Sequence, residues 1–331
     1  MSALPPWIGD QLGYLLAQRG HAWLLHGPSG LGQYELALEL TRAWLCDDPG
    51  PAGACGRCGS CHTVDVRAHT DLFVLMPETA MLARGWPLAE KAQADIDDKK
   101  RKPSKDIRID DVREAVEFSQ RTSGRGRGKV VLVAPAERMN QASANALLKT
   151  LEEPPGDVRF VLATEAAHQL LPTIRSRCLG HAMTWPQPAA ASAWLQQQRI
   201  DAADVAALLR AAGGRPQEAL SLAEAGVNGR AWSQLPKALA RGDAGLLADS
   251  APPQAVDVLQ KVCHDVMALA TGAVPRFFEA TDLPPPARLA ALSDWARALS
   301  RAARTAEHPF NPGLMLEALV SQAHAALNSR G

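Results

Sequence analysis

The chain has 331 residues, and its 35 Lys and Arg are balanced by 35 Asp and Glu, so the formal net charge is zero. With 47% hydrophobic and 21% charged residues it is typical of a globular protein, which excludes a disordered or fibrous one. The neutral balance argues against a protein that binds DNA unaided, because non-specific DNA affinity comes from neutralising phosphates with Lys and Arg. The first residues form no secretory signal, and no segment approaches the roughly 20 apolar residues that span a bilayer. We therefore expect a cytoplasmic, soluble, multidomain protein with no membrane contact.

The first half of the chain alternates between short apolar runs and amphipathic segments. The apolar runs are typical of buried strands in a parallel sheet, and they cover residues 23–26, 72–75, 129–133 and 159–163. The amphipathic segments predict helices over residues 34–45, 111–118 and 140–153. Asp110 is placed to cap the second of these helices. Strands and helices in alternation predict a doubly wound α/β domain.

Beyond residue 185 the strand signals stop. The remainder is rich in Ala, Leu, Arg and Gln and is broken by Gly and Pro clusters, so it predicts bundles of helices. Within the first half, residues 78–105 are predicted to be the least structured segment. They end in a basic run over 99–105, and a second basic run, rich in glycine, covers 121–129. Such runs are typical of solvated loops, and contact with nucleic acid is the alternative.

A glycine-rich turn, Gly-Pro-Ser-Gly-Leu-Gly-Gln-Tyr over residues 27–34, follows the first predicted strand and leads into a helix. The frame matches the G-x-x-x-x-G-K-[ST] phosphate loop, in which backbone N–H groups cradle phosphates, a Lys neutralises their charge and a hydroxyl holds Mg²⁺. Here Gly27, Gly30 and Gly32 are present, but Gln33 replaces the Lys and Tyr34 replaces the small hydroxyl. The glycines alone are equally consistent with a tight strand-to-helix turn.

A second position decides between these two interpretations. In nucleotide hydrolases of this architecture a carboxylate after the third strand helps to hold Mg²⁺. The strand over 129–133 is followed by Ala134 and Pro135, and Glu137 comes too late to supply that carboxylate without a different backbone path. Two losses in one site predict a degenerate phosphate loop that hydrolyses no ATP, and no ATP is expected as a cofactor. Weak retention of a nucleotide stays open.

Four cysteines fall in one stretch with the spacing C-x8-C-x2-C-x2-C: Cys46, Cys55, Cys58 and Cys61. Four thiolates can close a tetrahedral zinc site, and a fully occupied shell indicates a structural metal because no position is left for a catalytic water. This spacing favours zinc, with free thiols or an iron–sulfur cluster as alternatives. Cys46 is the least certain ligand, and His62 is a possible substitute. The two remaining cysteines are isolated and are expected to be packed residues.

Two arginines, Arg175 and Arg177, follow a short apolar helix, and Arg177 stands between Ser176 and Cys178. Charged side chains in such a turn are commonly a solvated face. The functional interpretation is an arginine finger, a fixed guanidinium supplied in trans to the charge that develops on a neighbour's phosphate. A finger needs no nucleotide in its own chain, which would explain a hydrolase fold without a hydrolase site.

Four features occur together and in order: the loop over 27–32, the four-cysteine module, the motif Asn-Ala-Leu-Leu-Lys-Thr-Leu-Glu-Glu-Pro-Pro over 145–155, and the motif Ser176-Arg177-Cys178. In these features the chain resembles the clamp-loader branch of the AAA+ superfamily, across residues 6 to 185. The resemblance implies three parts. They are an α/β AAA+ domain over 1–184 with a zinc module inserted at 46–61, a small all-α lid over 185–226, and an all-α collar for oligomerisation over 227–331.

The resemblance also implies a role. Clamp loaders of bacterial DNA polymerase III are multi-subunit assemblies that place a sliding clamp on primed DNA. The implied partners are the motor ATPase subunits (gamma or tau) and the delta subunit, with primed DNA met inside the complex and the clamp met weakly or indirectly. The match over Ser176, Arg177 and Cys178 implies that Arg177 reaches a neighbour's ATP site.

A third departure from hydrolysing members lies in the predicted lid. Gln217 stands where those members carry a lid arginine, although Arg215 could blur that alignment. This agrees with the two losses in the phosphate site. An active motor ATPase of the same family and a stand-alone zinc-containing DNA-binding protein are the rival hypotheses.

Overall fold

The structure is a computed structural model that describes residues 4–248, 250–306, 308 and 311–329. The predicted domains begin and end on residues that lie outside this set, at 1–3 and 330–331. The chain divides into two compact units, one ending at Pro186 and the other beginning at Gln187. Each unit contains a hydrophobic core made of its own residues.

The first unit is built on five parallel strands: β1 Ala22–His26, β2 Leu72–Leu75, β3 Lys129–Val133, β4 Val158–Thr164 and β5 Leu179–Ala182. Their order across the sheet is β2-β3-β4-β1-β5. In the register of the sheet, Leu24 of β1 lies opposite Leu162 of β4 on one side and Gly180 of β5 on the other. The carboxyl ends of all five strands therefore share one edge of the sheet, and the amino ends share the opposite edge.

In the part of this unit that the structure describes, eight helices accompany the sheet: α1 Pro6–Leu16, α2 Gln33–Leu45, α3 Gly59–Asp65, α4 Glu78–Ala83, α5 Glu90–Asp97, α6 Ile109–Gln120, α7 Gln141–Glu152 and α8 Pro172–Arg175. Two short 3-10 helices lie at Ala136–Arg138 and Ala167–Gln169. Strands β3 and β4 are buried along nearly their whole length because helices cover both faces of a parallel sheet. Phe160 and Leu162 pack with Leu147 and Leu151 of α7 in the core.

The four strands predicted from apolar runs are confirmed, and α2, α6 and α7 coincide with the predicted helices. Strand β5 is not predicted, because its residues are mostly exposed at the sheet edge and carry no apolar run. The predicted cap at Asp110 is wrong. Helix α6 begins at Ile109, and the carboxylate that reaches back is that of Asp111, which accepts the backbone N–H of Arg108 at 3.2 Å.

The prediction that residues 78–105 are the least structured segment is also wrong. Helices α4 and α5 lie within this segment, and the carboxylate of Glu78, at its start, binds residues near its end. Glu78 accepts hydrogen bonds from the guanidinium of Arg101 at 2.7 Å, that of Arg108 at 2.7 Å and the backbone N–H of Ser104 at 2.8 Å. The bond from Arg101 and the neighbouring charges hold the pKa of Glu78 below its usual range. One buried carboxylate thereby orders a segment whose polarity hides any helical pattern.

The second unit is helical throughout its described elements: α9 Pro188–Gln197, α10 Ala202–Ala211, α11 Pro216–Glu224, α12 Gly229–Ala240, α13 Pro252–Ala270, α14 Leu289–Thr305 and α15 Pro312–Leu327, with 3-10 helices at Gly245–Leu247 and Ala280–Asp282. This confirms the prediction of helical bundles. In its core Trp232 stacks on Phe278 with ring centroids 4.8 Å apart. The fully buried Asp265 accepts the backbone N–H groups of Phe277 and Phe278 at 2.6 and 2.8 Å. Among the described helices, none has the length and apolar character that a membrane crossing requires.

Candidate functional site

The predicted phosphate loop joins the carboxyl end of β1 to the start of α2. Gly32 is the residue before α2 and adopts a left-handed conformation with φ of 94°, which favours glycine. A Cβ atom on Gly27 would lie 2.9 Å from Cβ of Met183, so the close approach of these two backbones also requires glycine. The glycines of the motif therefore shape a real strand-to-helix turn of the kind that phosphate loops use.

Gln33, at the position of the phosphate-binding Lys, is buried, with only 4% of its surface exposed. Its Nε2 donates to the carbonyl oxygens of Gly27 and Pro28, both at 2.8 Å. A carboxamide has two N–H donors, and both are engaged by the loop itself. The side chain thus brings no positive charge to the loop and closes the turn on its own backbone.

Tyr34, at the position of the Mg²⁺-binding hydroxyl, belongs to a cluster of aromatic and cationic side chains. Its hydroxyl accepts the indole N–H of Trp86 at 2.7 Å, and the guanidinium of Arg84 lies 4.6 Å from the centroid of its ring. Arg67 stacks in the same way on Trp86 at 5.5 Å. Burial raises the pKa of the Tyr34 phenol, which keeps it neutral. Tyr34 therefore packs the start of α2 against the turn after α4, and its hydroxyl is engaged by an indole.

At the carboxyl end of β3, the metal position is occupied by the buried methyl group of Ala134. Glu137 follows in a 3-10 helix, and its Oε1 accepts the backbone N–H of Glu165 at 3.1 Å, beyond the end of β4. The carboxylate of Glu137 is thus engaged by the backbone beyond the end of the neighbouring strand.

The structure brings the four predicted cysteines together. Their Sγ atoms all lie within 4.8 Å of one another, with Cys46 3.8 Å from Cys58 and 3.7 Å from Cys61. A tetrahedron with Zn–S bonds of about 2.3 Å has S···S separations of about 3.8 Å. The cluster therefore fits a tetrahedral metal such as zinc. Among the residues that the structure describes, this group of ligand atoms includes Cys46 and not His62.

The surroundings of the cluster suit bound thiolates. The backbone N–H of Cys55 donates to Sγ of Cys46 at 3.3 Å, and that of Cys61 donates to Sγ of Cys58 at 3.4 Å. Without a cation, burial raises the pKa of Cys46 and raises that of Cys61 to about 12, whereas backbone N–H donors, that of Arg57 foremost, lower the pKa of Cys55 to about 6. A divalent cation would supply the charge that the two buried thiols lack.

Two aspartates that the sequence reasoning missed fasten this module to the sheet. Asp47 accepts hydrogen bonds from the hydroxyl of Ser60 at 2.7 Å and forms an ion pair with Arg125 at 3.6 Å. Asp71, 1% exposed, accepts the backbone N–H groups of Gly124 and Arg125 at 2.7 and 2.9 Å. The basic run over 121–129 is therefore held at its centre. A lone Asp directly before an apolar strand is the only signal for Asp71 in the sequence.

Arg177 lies in the turn between α8 and β5, between two residues that anchor this turn. Ile174 is fully buried, and Cys178 packs against the core, where burial raises the pKa of its thiol to about 12. The Arg177 side chain is 29% exposed and binds Glu152, the last residue of α7. The sequence analysis identified the motif over 145–155, which contains Glu152, and the motif over 176–178, which contains Arg177. It did not predict that these two residues are in contact.

Ser176, the first residue of the predicted motif, closes the end of α8. It is the residue directly after the helix, and its backbone N–H donates to the carbonyl oxygen of Pro172 at 3.0 Å. Its hydroxyl is exposed and donates to the carbonyl oxygen of Thr173 at 3.2 Å. The three residues of the motif therefore have different environments: Ser176 ends the helix, Cys178 packs against the core, and Arg177 carries the only charge.

Arg177 lies where the strands of the sheet begin, at their amino ends. The phosphate loop lies where the strands finish, at their carboxyl ends. Leu179 at the start of β5 is opposite Trp23 near the start of β1, whereas the phosphate loop begins after His26 at the end of β1. Strands of this length separate the two edges by roughly 10 Å or more, at about 3.3 Å per residue. Arg177 therefore lies at the other end of the strands from the loop of its own chain.

In the second unit, Gln217 lies in the first turn of α11, at the position compared with the lid arginine. Arg215 precedes this helix, and its Nε donates to the carbonyl oxygen of Ala212 at 2.7 Å. The two side chains thus occupy different settings, one on the helix and one on the turn before it.

The five-stranded parallel sheet with its glycine-rich loop, followed by a helical unit, is the AAA+ fold that the sequence predicts. A crystal structure of a DNA polymerase III, gamma subunit-related protein from Thermotoga maritima has the same fold, with a TM-score of 0.50, 18% identity, and coverage of 96% of this chain and 99% of that one. The model of the family described as DNA polymerase III, delta subunit, matches residues 16–184. The chain belongs to this family.

Two curated relatives are similar over about two thirds of the chain. The DNA polymerase III subunit delta' of Pseudomonas aeruginosa is 40% identical over 232 residues, which are 69% of this chain and 63% of that protein. The subunit delta' of Escherichia coli is 34% identical over 241 residues, which are 71% of this chain and 65% of that protein. The similar region thus spans slightly less than two thirds of each relative. These similarities confirm the resemblance to the clamp-loader family.

Proposed function

We propose that this chain is a non-catalytic, delta'-type subunit of a bacterial DNA polymerase III clamp loader, which helps to load the sliding clamp onto primed DNA. Its family and the names of its relatives support the assembly to which it is assigned. The observation that carries the non-catalytic role is the phosphate loop closed on itself by Gln33.

The chain is proposed to lack ATPase activity because each charged part of a phosphoryl-transfer site is replaced. Transfer of a phosphoryl group depends on cations and a metal held by a hydroxyl and a carboxylate. In their places stand the neutral carboxamide of Gln33, the packed phenol of Tyr34 and the methyl group of Ala134. Gln217 in the proposed lid stands where the family resemblance implies an arginine in hydrolysing members, which supports the same conclusion.

Arg177 is proposed to act in trans as an arginine finger. It lies at the sheet edge opposite to the phosphate loop of its own chain, so a phosphate that meets it belongs to another subunit. The guanidinium stands in a turn anchored by Ile174 and Cys178, and its side chain is partly exposed. In this role it would stabilise the charge that develops on a neighbour's γ-phosphate. Ser176 is assigned no contact with that phosphate, because its hydroxyl donates to α8.

The proposed assembly defines the partners and the domains. The neighbours are the motor ATPase subunits (gamma or tau) and the delta subunit, with primed DNA met in the assembled loader and the clamp met weakly or indirectly. We assign residues 1–184 to the AAA+ domain, 185–226 to the lid and 227–331 to the collar. Zinc held by Cys46, Cys55, Cys58 and Cys61 is proposed as a structural metal.

The proposal is tested by ATP hydrolysis of the chain alone and of a loader reconstituted with its motor and delta subunits. The chain alone should show no turnover. Arg177→Ala should leave folding and co-elution with the motor subunits unchanged, and should lower the rate at the adjacent ATP site by about 10³, the size of measured finger effects. Arg175→Ala, two residues away and exposed, is the matched control and should not change the rate.

Two results would redirect the proposal. Appreciable turnover by the chain alone, abolished by mutation of its phosphate loop, would indicate an active motor subunit. Unchanged DNA-stimulated turnover in the Arg177→Ala loader would overturn the finger assignment, while leaving membership of the loader to be judged by co-elution.

A further inference from the structure

Arg177 is held by Glu152, the residue that ends α7. Oε2 of Glu152 accepts hydrogen bonds from Nε of Arg177 at 3.1 Å and from Nη2 at 3.0 Å. The carbonyl oxygen of Thr173, in α8, accepts a third bond from Nη1 at 3.1 Å. Two elements thus grip the guanidinium from different sides.

The pattern of these bonds leaves two N–H donors of the guanidinium available. The group has five N–H donors in a rigid plane. Glu152 accepts from Nε and from Nη2, and Thr173 accepts one N–H of Nη1. Among the residues that the structure describes, none accepts the remaining N–H on either Nη atom. Each of these two donors can bind an oxygen of a phosphate.

The burial of the surrounding residues is consistent with a positioning contact. The Arg177 side chain is 29% exposed and that of Glu152 is 57% exposed, so water screens the ion pair and its electrostatic stabilisation of the fold is small. The backbone on each side is fixed, because Leu151 and Ile174 are buried in the core. Glu152 therefore contributes more to the direction of the guanidinium than to the stability of the chain.

We propose that Glu152 is a positioning residue for Arg177, which holds the guanidinium so that its two remaining N–H donors face a phosphate of the adjacent subunit. This inference rests on the proposed function of Arg177 as a finger. A correctly oriented guanidinium needs no reorganisation when charge develops on the phosphate. Glu152 itself touches no substrate and acts through Arg177 alone.

The same oxygen accepts both bonds, which predicts how substitutions behave. Glu152→Gln retains an amide oxygen that can accept from Nε and Nη2, so geometry is kept and only the charge is lost. Glu152→Ala removes the acceptor and frees the guanidinium to rotate. In a loader whose other ATP sites are inactivated, Glu152→Ala should lower kcat roughly tenfold, within the range expected for a misplaced group, with KM for ATP unchanged. Glu152→Gln should stay within about twofold of the unmodified loader.

A double-mutant cycle separates positioning from a general structural effect. If Glu152 acts through Arg177, the double variant Glu152→Ala/Arg177→Ala should be no slower than Arg177→Ala alone. Glu153→Ala is the matched control, because Glu153 is the next residue, carries the same charge and is also exposed. Its turnover should equal that of the unmodified loader.

A measurement on the chain alone is independent of the loader. The Nε–H resonance of Arg177 should be resolved and protected from exchange in the unmodified chain and in Glu152→Gln, and should be lost to solvent exchange in Glu152→Ala. A loss of turnover in Arg177→Ala but not in Glu152→Ala would overturn this inference and leave the finger intact. No loss in Arg177→Ala would overturn the proposed finger itself. An additive double variant would make Glu152 a structural residue only.

Discussion

At position 33 a neutral carboxamide stands where phosphate loops carry an ammonium group. Both of its N–H donors bind loop carbonyls, so a phosphate oxygen would have to break these bonds before it found any donor on this side chain. A buried donor or acceptor left unpaired destabilises a protein by about 1–3 kcal/mol. The side chain of Gln33 therefore binds the backbone of its own loop, whereas the Lys of the phosphate-loop motif binds the phosphates of a nucleotide.

The cysteine cluster leads to a prediction at the scale of single residues. The purified chain should contain about one zinc per molecule by elemental analysis, and Cys58→Ser/Cys61→Ser should lose it, because two ligands cannot close a tetrahedral site. Cys263→Ala, which removes a thiol in the second unit, is the control and should retain zinc. Iron in the chain, or no metal after purification without chelators, would contradict the prediction.

Zinc binding should also depend on pH. The metal binds thiolates, so protons compete with it as the pH falls, and acidification releases the ion. Bound zinc should be fully retained at neutral pH and should be lost as pH falls, which a chromogenic chelator follows directly. Retention of the metal at a pH of about 3 would be inconsistent with a four-thiolate site.

At the scale of elements, the sequence predicts what strong periodicity encodes and misses what tertiary contacts impose. Strands β1 to β4 are evident because each contains a run of apolar residues, although Arg159 interrupts the start of β4 and only Leu75 of β2 is buried. Strand β5 has an exposed Leu and an exposed Gly, and it is a strand because β1 offers it a free edge. The cysteine cluster follows from spacing, but the bond between Glu152 and Arg177 joins residues 25 positions apart and has no local signal.

The segment between β2 and α6 leads to a prediction about the residue that orders it, Glu78. Glu78→Ala should remove the acceptor for Arg101, Arg108 and Ser104, and hydrogen bonds to charged groups contribute about 2 kcal/mol each. Trypsin should then cut within residues 84–105 much faster than in the unmodified chain. Glu90→Ala, an exposed acid in the same segment, should leave the rate of cutting unchanged. Equal cutting in both variants would show that Glu78 does not order the segment.

Protonation of Glu78 in acid should loosen residues 78–105, as the substitution Glu78→Ala does. The pKa of Glu78 is lowered in the folded chain, chiefly by its bond from Arg101, so the carboxylate stabilises the fold above its ordinary pKa of about 4.3. This contribution disappears as pH falls through the lowered pKa. The protection of residues 78–105 against hydrogen exchange, expressed relative to the intrinsic amide exchange rate at each pH, should therefore fall in acid before that of the core of the sheet. In Glu78→Gln, which has no carboxylate to protonate at this position, the protection of this segment should not fall in this way.

At the scale of the whole molecule, the balance of 35 Lys and Arg against 35 Asp and Glu leads to a prediction about DNA binding. The chain alone should bind primed DNA more weakly than about 10⁻⁵ M at physiological salt, because it has no excess of cations with which to release counterions. The assembled loader should bind the same DNA more tightly. Fluorescence anisotropy at two salt concentrations measures both, and nanomolar binding by the chain alone would support a stand-alone DNA-binding protein.

The separation of Arg177 from the phosphate loop gives the chain a direction. A row of subunits joined head to tail has two unlike faces at every junction, one that donates an arginine and one that presents a nucleotide. A subunit in the proposed role has a functional arginine-donating face, but its other face presents no nucleotide. It can complete the site of the neighbour on one side, but the neighbour on its other side finds no nucleotide to complete. In the proposed role, the row of ATP sites would stop at this chain, and a closed circle of identical active junctions could not form around it.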